Sequence, residues 1–359
     1  MASQNNQNAP LSDSETSQST GQEQQKRKRF LKKSTHKSSV NDAIPPLELI
    51  GESKMEPAAV KEVNMPEKRE HTLRVRVISG AVYAIVNILA IFWGELPWAL
   101  VMSFTAGVCC WEFFRLMRYD AKAPNQIIGI TFAVLLPILA LINMVYLVGA
   151  IFLLIMALGI WYVINPRARI TDLAVTAFGT IYTGLTLSAI VGIRCSASFD
   201  YSGILEFHNL YQVVRTPSAA TDLSAILLTL ATMLSVWGND AFAYFIGSKF
   251  GKHKLVPKIS PKKSWEGLFG GIAGSTIVWC LLLFFPEVGL TVPIALIVGL
   301  LCGVTGVIGD LVESRIKRGA GVKDSGNFMP GHGGLLDRSD SLLFAGVTAY
   351  FLLRLLGII

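Results

Sequence analysis

Long apolar stretches separated by short polar segments make up the chain after residue 70. Because a helix needs about 20 mostly apolar residues to cross a bilayer, these stretches predict about nine transmembrane helices. The predicted spans are residues 77–93, 97–117, 126–142, 144–164, 173–193, 223–247, 267–285, 291–309 and 340–357. We therefore expect an all-α polytopic membrane protein with about nine transmembrane helices, and the cytoplasmic loops between them are the candidate location of any catalytic residues.

The first 70 residues have the opposite character. They contain 21 charged residues and only 18 hydrophobic ones, a composition that cannot bury a core. We predict a disordered hydrophilic cytoplasmic tail over 1–70, N-terminal transmembrane helices over 71–222 and a C-terminal transmembrane catalytic region over 223–359. The basic cluster Lys26–Arg29 either binds anionic lipid or, as we favour, is a solvated part of the tail.

Basic residues are distributed unevenly between the predicted loops. Of the 21 lysines and arginines after residue 70, 18 fall on the side of the membrane that holds the tail. Because basic loops are typical of the cytoplasmic side, the loops 248–266 and 310–339 are predicted to be cytoplasmic. The net charge of +7 then reflects membrane topology, and we expect no nucleic-acid partner. The predicted location is a bacterial cell membrane, crossed several times, with the active site on the cytoplasmic face.

A carboxylate interrupts the sixth predicted span. Asp240 lies in an otherwise apolar helix, where a charge is costly and normally faces a partner, a cavity or an ion. Tyr244 follows four residues later and shares its helix face. The alternative to a functional site is a hydrogen bond between two helices.

The loop after the sixth span is rich in lysine. Six lysines within residues 249–263 could attract an anionic lipid or a nucleotide, or could act as topology signals alone. Ser260 followed by Pro261 predicts the N-cap and first residue of a short interfacial helix. Its N-terminus, beside Lys262 and Lys263, would suit a phosphate group.

The densest group of polar residues lies between the eighth and ninth spans. If the eighth span continues as a helix, one face carries Asp310, Glu313, Ser314 and Lys317. Asp337 and Asp340 share a face at the start of the ninth span, and acidic groups on two helix ends can hold Mg²⁺.

Glycines lie between these two acidic pairs. Gly331, Gly333 and Gly334 allow close approach of the backbone to a phosphate. A charged hinge, satisfied by pairing of arginine with aspartate, would explain the charges but not these glycines around His332.

These residues resemble the signature of the CDP-diacylglycerol synthases, also called phosphatidate cytidylyltransferases. The resemblance lies in Ser314-x-Ile316-Lys317-Arg318, in Lys323-Asp324, and in Pro330-x-His332-Gly333-Gly334-Leu335-x-Asp337-Arg338-x-Asp340-Ser341. Asp240 with Ala243-Tyr244, and the segment from Ser260 to Gly267, follow that family's pattern in order and spacing. Ser248, Ser264 and Ser339 depart from it mildly, and the tail lies outside it.

The resemblance implies the roles of individual residues. An implied catalytic role falls on Asp310, Lys317, Lys323, Asp324, His332, Asp337 and Arg338. An implied substrate-binding role falls on Ser260, Lys262, Lys263, Arg318, Gly333, Gly334 and Tyr244. The implied ligands of a Mg²⁺ cofactor are Asp310, Asp337 and Asp340, with Asp240 as a further candidate.

The implied reaction joins the cytidylyl group of CTP to phosphatidic acid, giving CDP-diacylglycerol and pyrophosphate for phospholipid biosynthesis. The expected partners are CTP, phosphatidic acid and bilayer lipid, and a homodimer is the assembly we consider. Three alternatives remain open at this point: a CTP-dependent polyprenol or lipid kinase, a multispan transporter, and a non-catalytic lipid-binding scaffold. A transporter would place charges at mid-membrane on broken helices, whereas here they gather at one face.

Overall fold

The computed structural model of the protein describes residues 73–143, 145–198, 219–331 and 333–359. The predicted tail over 1–70 and His332 lie outside the described residues, so the predictions made for them stay predictions. About four fifths of the described residues are helical.

The N-terminal helices run back and forth with short connections. They are α1 (Leu73–Trp93), α2 (Glu95–Tyr119), α3 (Gln126–Ile142), α4 (Val145–Ile164), α5 (Ile170–Thr180) and α6 (Thr186–Arg194), with a π-helical turn at Ile181–Leu185 joining α5 to α6. A 3-10 turn, Cys195–Ser198, follows α6. The single residue between α1 and α2 is Gly94, whose φ of 138° is open to glycine and strained for other residues.

The C-terminal helices are longer. They are α7 (Ala219–Phe250), α8 (Trp265–Leu281), α9 (Val292–Gly319) and α10 (Leu336–Leu355). A small antiparallel hairpin of β1 (Lys254–Val256) and β2 (Ser260–Ser264) joins α7 to α8. The 3-10 turns Leu282–Phe284 and Pro286–Val288 lead from α8 towards α9.

The prediction of an all-α polytopic membrane protein is confirmed. Within the described ranges, seven segments are long and apolar enough to cross a membrane: Val75–Trp93, Glu95–Tyr119, Val145–Ile164, Ile170–Arg194, Asp222–Phe250, Trp265–Phe284 and Val292–Gly319. The other two predicted spans are also helices. α3 is apolar but has only 17 residues, and α10 has 20 residues of which four are charged.

The prediction of a helix starting at Ser260 is wrong. Ser260–Ser264 is strand β2, and its first residue pairs with Val256 of β1. Ser264, rather than Ser260, caps the next helix, because its hydroxyl accepts a hydrogen bond from the Gly267 amide at 3.2 Å. Pro261 is tolerated because a two-stranded hairpin leaves outer edges where no amide donor is needed.

Helices α7, α8 and α9 meet through glycine. A Cβ atom added to Gly274 of α8 would lie 2.6 Å from the carbonyl oxygen of Gly238 on α7. One added to Gly299 of α9 would lie 2.6 Å from the Cα atom of Thr276. Such small residues let helix backbones approach closely inside a membrane. We call Gly238, Gly274 and Gly299 the glycine seam.

Side-chain contacts define the two ends of the bundle. At one end, the Ser79 hydroxyl at the start of α1 donates a hydrogen bond to the carbonyl oxygen of Pro330 at 3.0 Å. At the other end, Arg194 of α6 pairs with Asp222 of α7 at 2.7 Å and donates from Nε to the Ile91 carbonyl oxygen at 3.0 Å. The start of α1 and the loop between α9 and α10 therefore share one end, as the predicted number of spans requires. The hairpin lies at the same end, because its Lys263 pairs with Asp310 of α9.

Candidate active site

Helix α9 positions the first acidic residues of the site. It continues without a break to Gly319, ten residues beyond the predicted end of the eighth span at 309. Asp310, Glu313 and Lys317 consequently lie on one helix face, as the spacing predicted. The Ser314 hydroxyl donates to Asp310 Oδ1 at 3.1 Å and helps to fix that carboxylate.

Three carboxylates from two helices converge at this end of the bundle. Asp310 and Glu313 of α9 and Asp340 of α10 each offer an oxygen atom, and these atoms all lie within 4.8 Å of one another. Glu313 is completely buried and Asp340 is 9% exposed. Like charges at this distance repel strongly at low dielectric, so the group, here called the carboxylate triad, is fully ionised only with positive charge nearby and otherwise holds protons.

Two lysines supply part of that charge. Lys263 of the hairpin places Nζ 2.5 Å from Asp310 Oδ2. Lys317 of α9 pairs with Glu313 one turn away and with Asp337 Oδ1 at 2.7 Å. The hairpin and α10 are thus both tied to α9 by ion pairs.

Asp337 has a different set of partners from the carboxylate triad. Besides Lys317, it accepts hydrogen bonds from the amides of Ser325 and Gly334, at 3.0 and 2.8 Å to Oδ2. It therefore joins the loop between α9 and α10 to both helices. Asp337 lines the same space as the triad without being one of its three members.

A polar cavity of about 230 Å³ opens at this point. Its lining residues are Asp240, Asp310, Lys317, Asp324, Asp337, Arg338, Asp340 and Ser341. Together with Glu313 beneath it and Lys263 on its rim, the cavity gathers six carboxylates against three basic side chains. The excess of negative charge suits a site that collects cations.

Several residues predicted for substrate binding, and Lys323 among those predicted for catalysis, lie away from this cavity. Lys262, Lys323 and Arg318 are exposed, and none of them lines it. Ser260 begins strand β2, and Tyr244 is 71% exposed with its ring against Phe245. These side chains lie outside the cavity, in the segments that surround it.

The predicted phosphate-binding glycines serve the loop itself. Gly333 has a φ of 94° and exchanges two backbone hydrogen bonds with Met329, at 2.9 and 3.2 Å. The Gly334 amide donates to Asp337. Both amides are therefore occupied by partners within residues 329–337.

Two acidic residues of the site were missing from the predicted set. Glu313 was noted on the helix face but not assigned a role, and Glu112 of α2 was not noticed. Glu112 is completely buried and accepts a hydrogen bond from the Leu336 amide at 2.8 Å. The signal was present in the sequence, because a carboxylate between Trp111 and Phe113 in an apolar span is as costly as Asp240.

Residues 74–356 match the cytidylyltransferase family, and this stretch contains every residue that lines the cavity. The chain belongs to the cytidylyltransferase family. Only the segments 1–73 and 357–359 fall outside the part that matches the family.

Proteins named phosphatidate cytidylyltransferase resemble this chain, and those of Bacillus subtilis and Pseudomonas aeruginosa do so over most of their length. A phosphatidate cytidylyltransferase of Bacillus subtilis is 29% identical over 292 residues, which are 79% of this chain and 98% of that protein. One from Pseudomonas aeruginosa is 32% identical over 275 residues, or 76% and 94% of the two chains. One from Staphylococcus haemolyticus is 47% identical over 125 residues, or 35% and 48%.

Proposed function

We propose that this chain is a phosphatidate cytidylyltransferase, which converts CTP and phosphatidic acid to CDP-diacylglycerol and pyrophosphate. The near full-length similarity to proteins of that name supports the proposal. The observation that carries it is the cavity at one end of a bundle of membrane helices, where six carboxylates, three of them close enough to share a cation, meet three basic side chains. Such a place suits a reaction between a soluble nucleotide and a lipid phosphate.

The proposed reaction needs positioning and neutralisation of charge. A phosphatidate oxygen attacks the α-phosphorus of CTP, a new phosphorus–oxygen bond forms, and the bond from the α-phosphorus to the β-phosphate oxygen breaks. Pyrophosphate leaves with the electron pair of that bond. The attacking phosphate is already ionised at neutral pH, so no side chain has to remove a proton, and electrostatic stabilisation is the main contribution of the protein.

The carboxylate triad fits a divalent cation. Mg²⁺ binds protein through one or two carboxylates and keeps its other positions for water and substrate phosphates. Asp310, Glu313 and Asp340 offer oxygen atoms within 4.8 Å of one another, on a background of excess negative charge. When bound there, Mg²⁺ would neutralise phosphate oxygens and make the α-phosphorus more electrophilic.

The chain's own basic residues have distinct tasks in this proposal. Lys317 holds Glu313 and Asp337 in place, while Lys263 and Arg338 add positive charge at the cavity rim. Asp240 faces the same cavity from α7 and is the further candidate for a cation ligand. Lys262, Arg318 and Lys323, exposed around the site, would attract the polyanionic substrates from solution and membrane.

The orientation of the protein also belongs to the proposal. The 18-to-3 distribution of basic residues favours a cavity that faces the cytoplasm, where CTP is found. A bacterial cell membrane, a homodimer and the absence of a nucleic-acid partner likewise stay predictions. A single cysteine introduced at Pro330 of a cysteine-free chain should resist an impermeant thiol reagent in intact cells and react in inverted vesicles. Labelling in intact cells would contradict the orientation.

Position-specific labels in CTP test the reaction directly. The purified protein is incubated with phosphatidic acid, Mg²⁺ and CTP that carries ³²P at either the α- or the γ-phosphate. Cytidylyl transfer puts the α-label into a chloroform-soluble lipid and the γ-label into pyrophosphate. A protein in which Asp310 is changed to Asn is the matched control for contaminating activity.

The same experiment separates the rival functions. A CTP-dependent lipid kinase would place the γ-label in the lipid and leave the α-label in water-soluble CDP, with polyprenol in place of phosphatidic acid as acceptor. A transporter or a lipid-binding scaffold would move neither label into lipid. Either result would overturn the proposed function.

A further inference from the structure

We propose that Glu112 is a positioning residue that holds the loop between α9 and α10 in place and so sets the catalytic aspartates against α9. This inference rests on the proposed function. Glu112 belongs to α2, in the N-terminal part of the chain, and does not line the cavity. It acts through the segment that carries Asp337 and Asp340.

The location of Glu112 requires a specific reason. Its side chain is completely buried in a membrane helix, between the aromatic residues Trp111 and Phe113. A buried carboxylate is costly unless hydrogen bonds or opposite charges compensate for the loss of water. The partners of Glu112 therefore indicate what the residue is for.

Its partners come from the loop and from the first turn of α10. Glu112 Oε2 accepts hydrogen bonds from the Ser325 hydroxyl at 3.2 Å and from the Leu336 amide at 2.8 Å. The N-cap residue of α10 is Leu335, whose apolar side chain cannot accept hydrogen bonds from the first amides of the helix. Glu112 takes this role from another helix, and its negative charge suits the positive end of the helix dipole.

Two glycines make room for this carboxylate. A Cβ atom at Gly326 would collide with Glu112 Oε1, and one at Gly334 would collide with the Ser325 hydroxyl and crowd Glu112 Oε2. Neither glycine has a positive φ, so both are needed for space rather than for backbone conformation. The glycine-rich part of the loop is thus shaped around Glu112.

Ser325 connects Glu112 to the cavity. Its hydroxyl donates to Glu112 while its amide donates to Asp337, which in turn pairs with Lys317 of α9. Arg115, one turn after Glu112 on α2, donates to the Ser325 carbonyl oxygen at 3.0 Å. A shift of Ser325 would therefore displace Asp337, and loss of the Leu336 contact would loosen the turn that leads to Asp340.

The test compares Glu112→Gln with wild type in the purified, full-length protein. Loss of the charge-assisted hydrogen bonds should lower kcat by about tenfold or more per folded molecule, with the KM for CTP changed by less than about threefold. In the protein without substrates, amides of residues 323–336 should exchange hydrogen at least about tenfold faster, while those of residues 265–281 stay unchanged. Ser325→Ala, which removes one of the hydrogen bonds, should give the same pattern with smaller changes.

Ser103→Ala is the matched control. Ser103 is also buried on α2, and its hydroxyl has no hydrogen-bond partner among the described residues. It should keep wild-type exchange and turnover. Unchanged exchange of residues 323–336 in Ser325→Ala and in folded Glu112→Gln would overturn the inference, as would unchanged kcat in both. Failure of wild type to form CDP-diacylglycerol would count against the proposed function alone, because hydrogen exchange needs no reaction.

Discussion

Charged side chains gather at both ends of the helix bundle, and positive and negative charges are balanced differently in the two groups. At one end Arg194 meets Asp222, one cation against one anion, with the Ile91 carbonyl oxygen as a further acceptor. At the other end, the cavity and its surroundings gather six carboxylates against three basic side chains. The charges of the first group compensate each other, whereas the second group has an excess of carboxylates that a bound cation or protons must offset.

The difference separates a structural role from a functional one. Arg194 is almost completely buried, and its ion pair with Asp222 holds two helices together. Removing one partner leaves the other charge uncompensated in an apolar environment. Carboxylates held close together destabilise the fold and are retained where they bind something. Neutralising a residue in each group should therefore change stability in opposite directions.

Asp340→Asn is expected to have the largest effect. Removal of one charge from the carboxylate triad weakens cation binding, so turnover should fall by a factor on the order of a hundred, equivalent to about 3 kcal/mol. Repulsion within the triad decreases, so the free energy of unfolding should stay the same or rise. CDP-diacylglycerol formation per folded molecule across a Mg²⁺ titration and thermal unfolding in detergent measure the two quantities. Asp120→Asn, at an exposed carboxylate after α2, is the control.

Asp337→Asn should have the next largest effect. Asparagine keeps the size but loses the charge that pairs with Lys317 and attracts the two loop amides. Turnover should fall by about ten- to a hundredfold, as for other residues that orient a metal site. The Mg²⁺ concentration at half-maximal turnover shows how Asp337 acts. Substitution of a direct ligand would raise this concentration more strongly than substitution of a residue that acts through the loop. Turnover within about twofold of wild type would remove Asp337 from the catalytic set.

Asp222→Asn tests the end of the bundle where Arg194 and Asp222 form an ion pair. Arg194, whose side chain is 2% exposed, would lose its carboxylate partner, and the protein should lose about 2 kcal/mol of stability. The partial exposure of Asp222 keeps this loss below that of a fully buried pair. Activity per folded molecule should equal that of wild type. The double variant Arg194→Met with Asp222→Asn should recover part of the lost stability. A loss of turnover in the folded fraction of Asp222→Asn would contradict the structural role given to this ion pair.

Removal of the tail should have the smallest effect. Residues 1–69 contribute nothing to the motifs of either end, and their composition cannot form a core. A chain beginning at Glu70 should keep its specific activity within about twofold in detergent with soluble CTP. Reduced turnover in a correctly inserted shortened protein would assign the tail a part in the reaction.

The helices were predictable because hydropathy and length decide which segments enter a membrane. The sequence predicted α2 to within two residues at each end and α3 without error. It failed at Ser260, because the same Ser-Pro pair can start a helix or occupy a hairpin strand. The pairing of that strand with Val256 is a tertiary fact that the local sequence does not contain.

Much of the candidate site was visible in the sequence as well. The face shared by Asp310 and Lys317 follows from helical spacing, and the signature between residues 314 and 341 marked the region. The neighbours of each carboxylate were not visible, because they depend on how helices pack. Glu112 illustrates this, since its two hydrogen-bond partners lie more than 200 residues further along the chain.

The glycine seam affects how the helix bundle responds to membranes of different thickness. Helices that touch through their backbones, as at Gly238 and Gly274, have no layer of side chains that could yield when the bilayer stretches or thins. The mostly lipid-exposed helix α4 differs, because Gly149 and Gly159 have open space around them. A change of thickness would therefore be absorbed by tilting α4 and its surroundings, while Lys263 and Asp310 keep their spacing. The end of the protein that carries the cavity would therefore keep its internal geometry and its depth relative to the membrane surface.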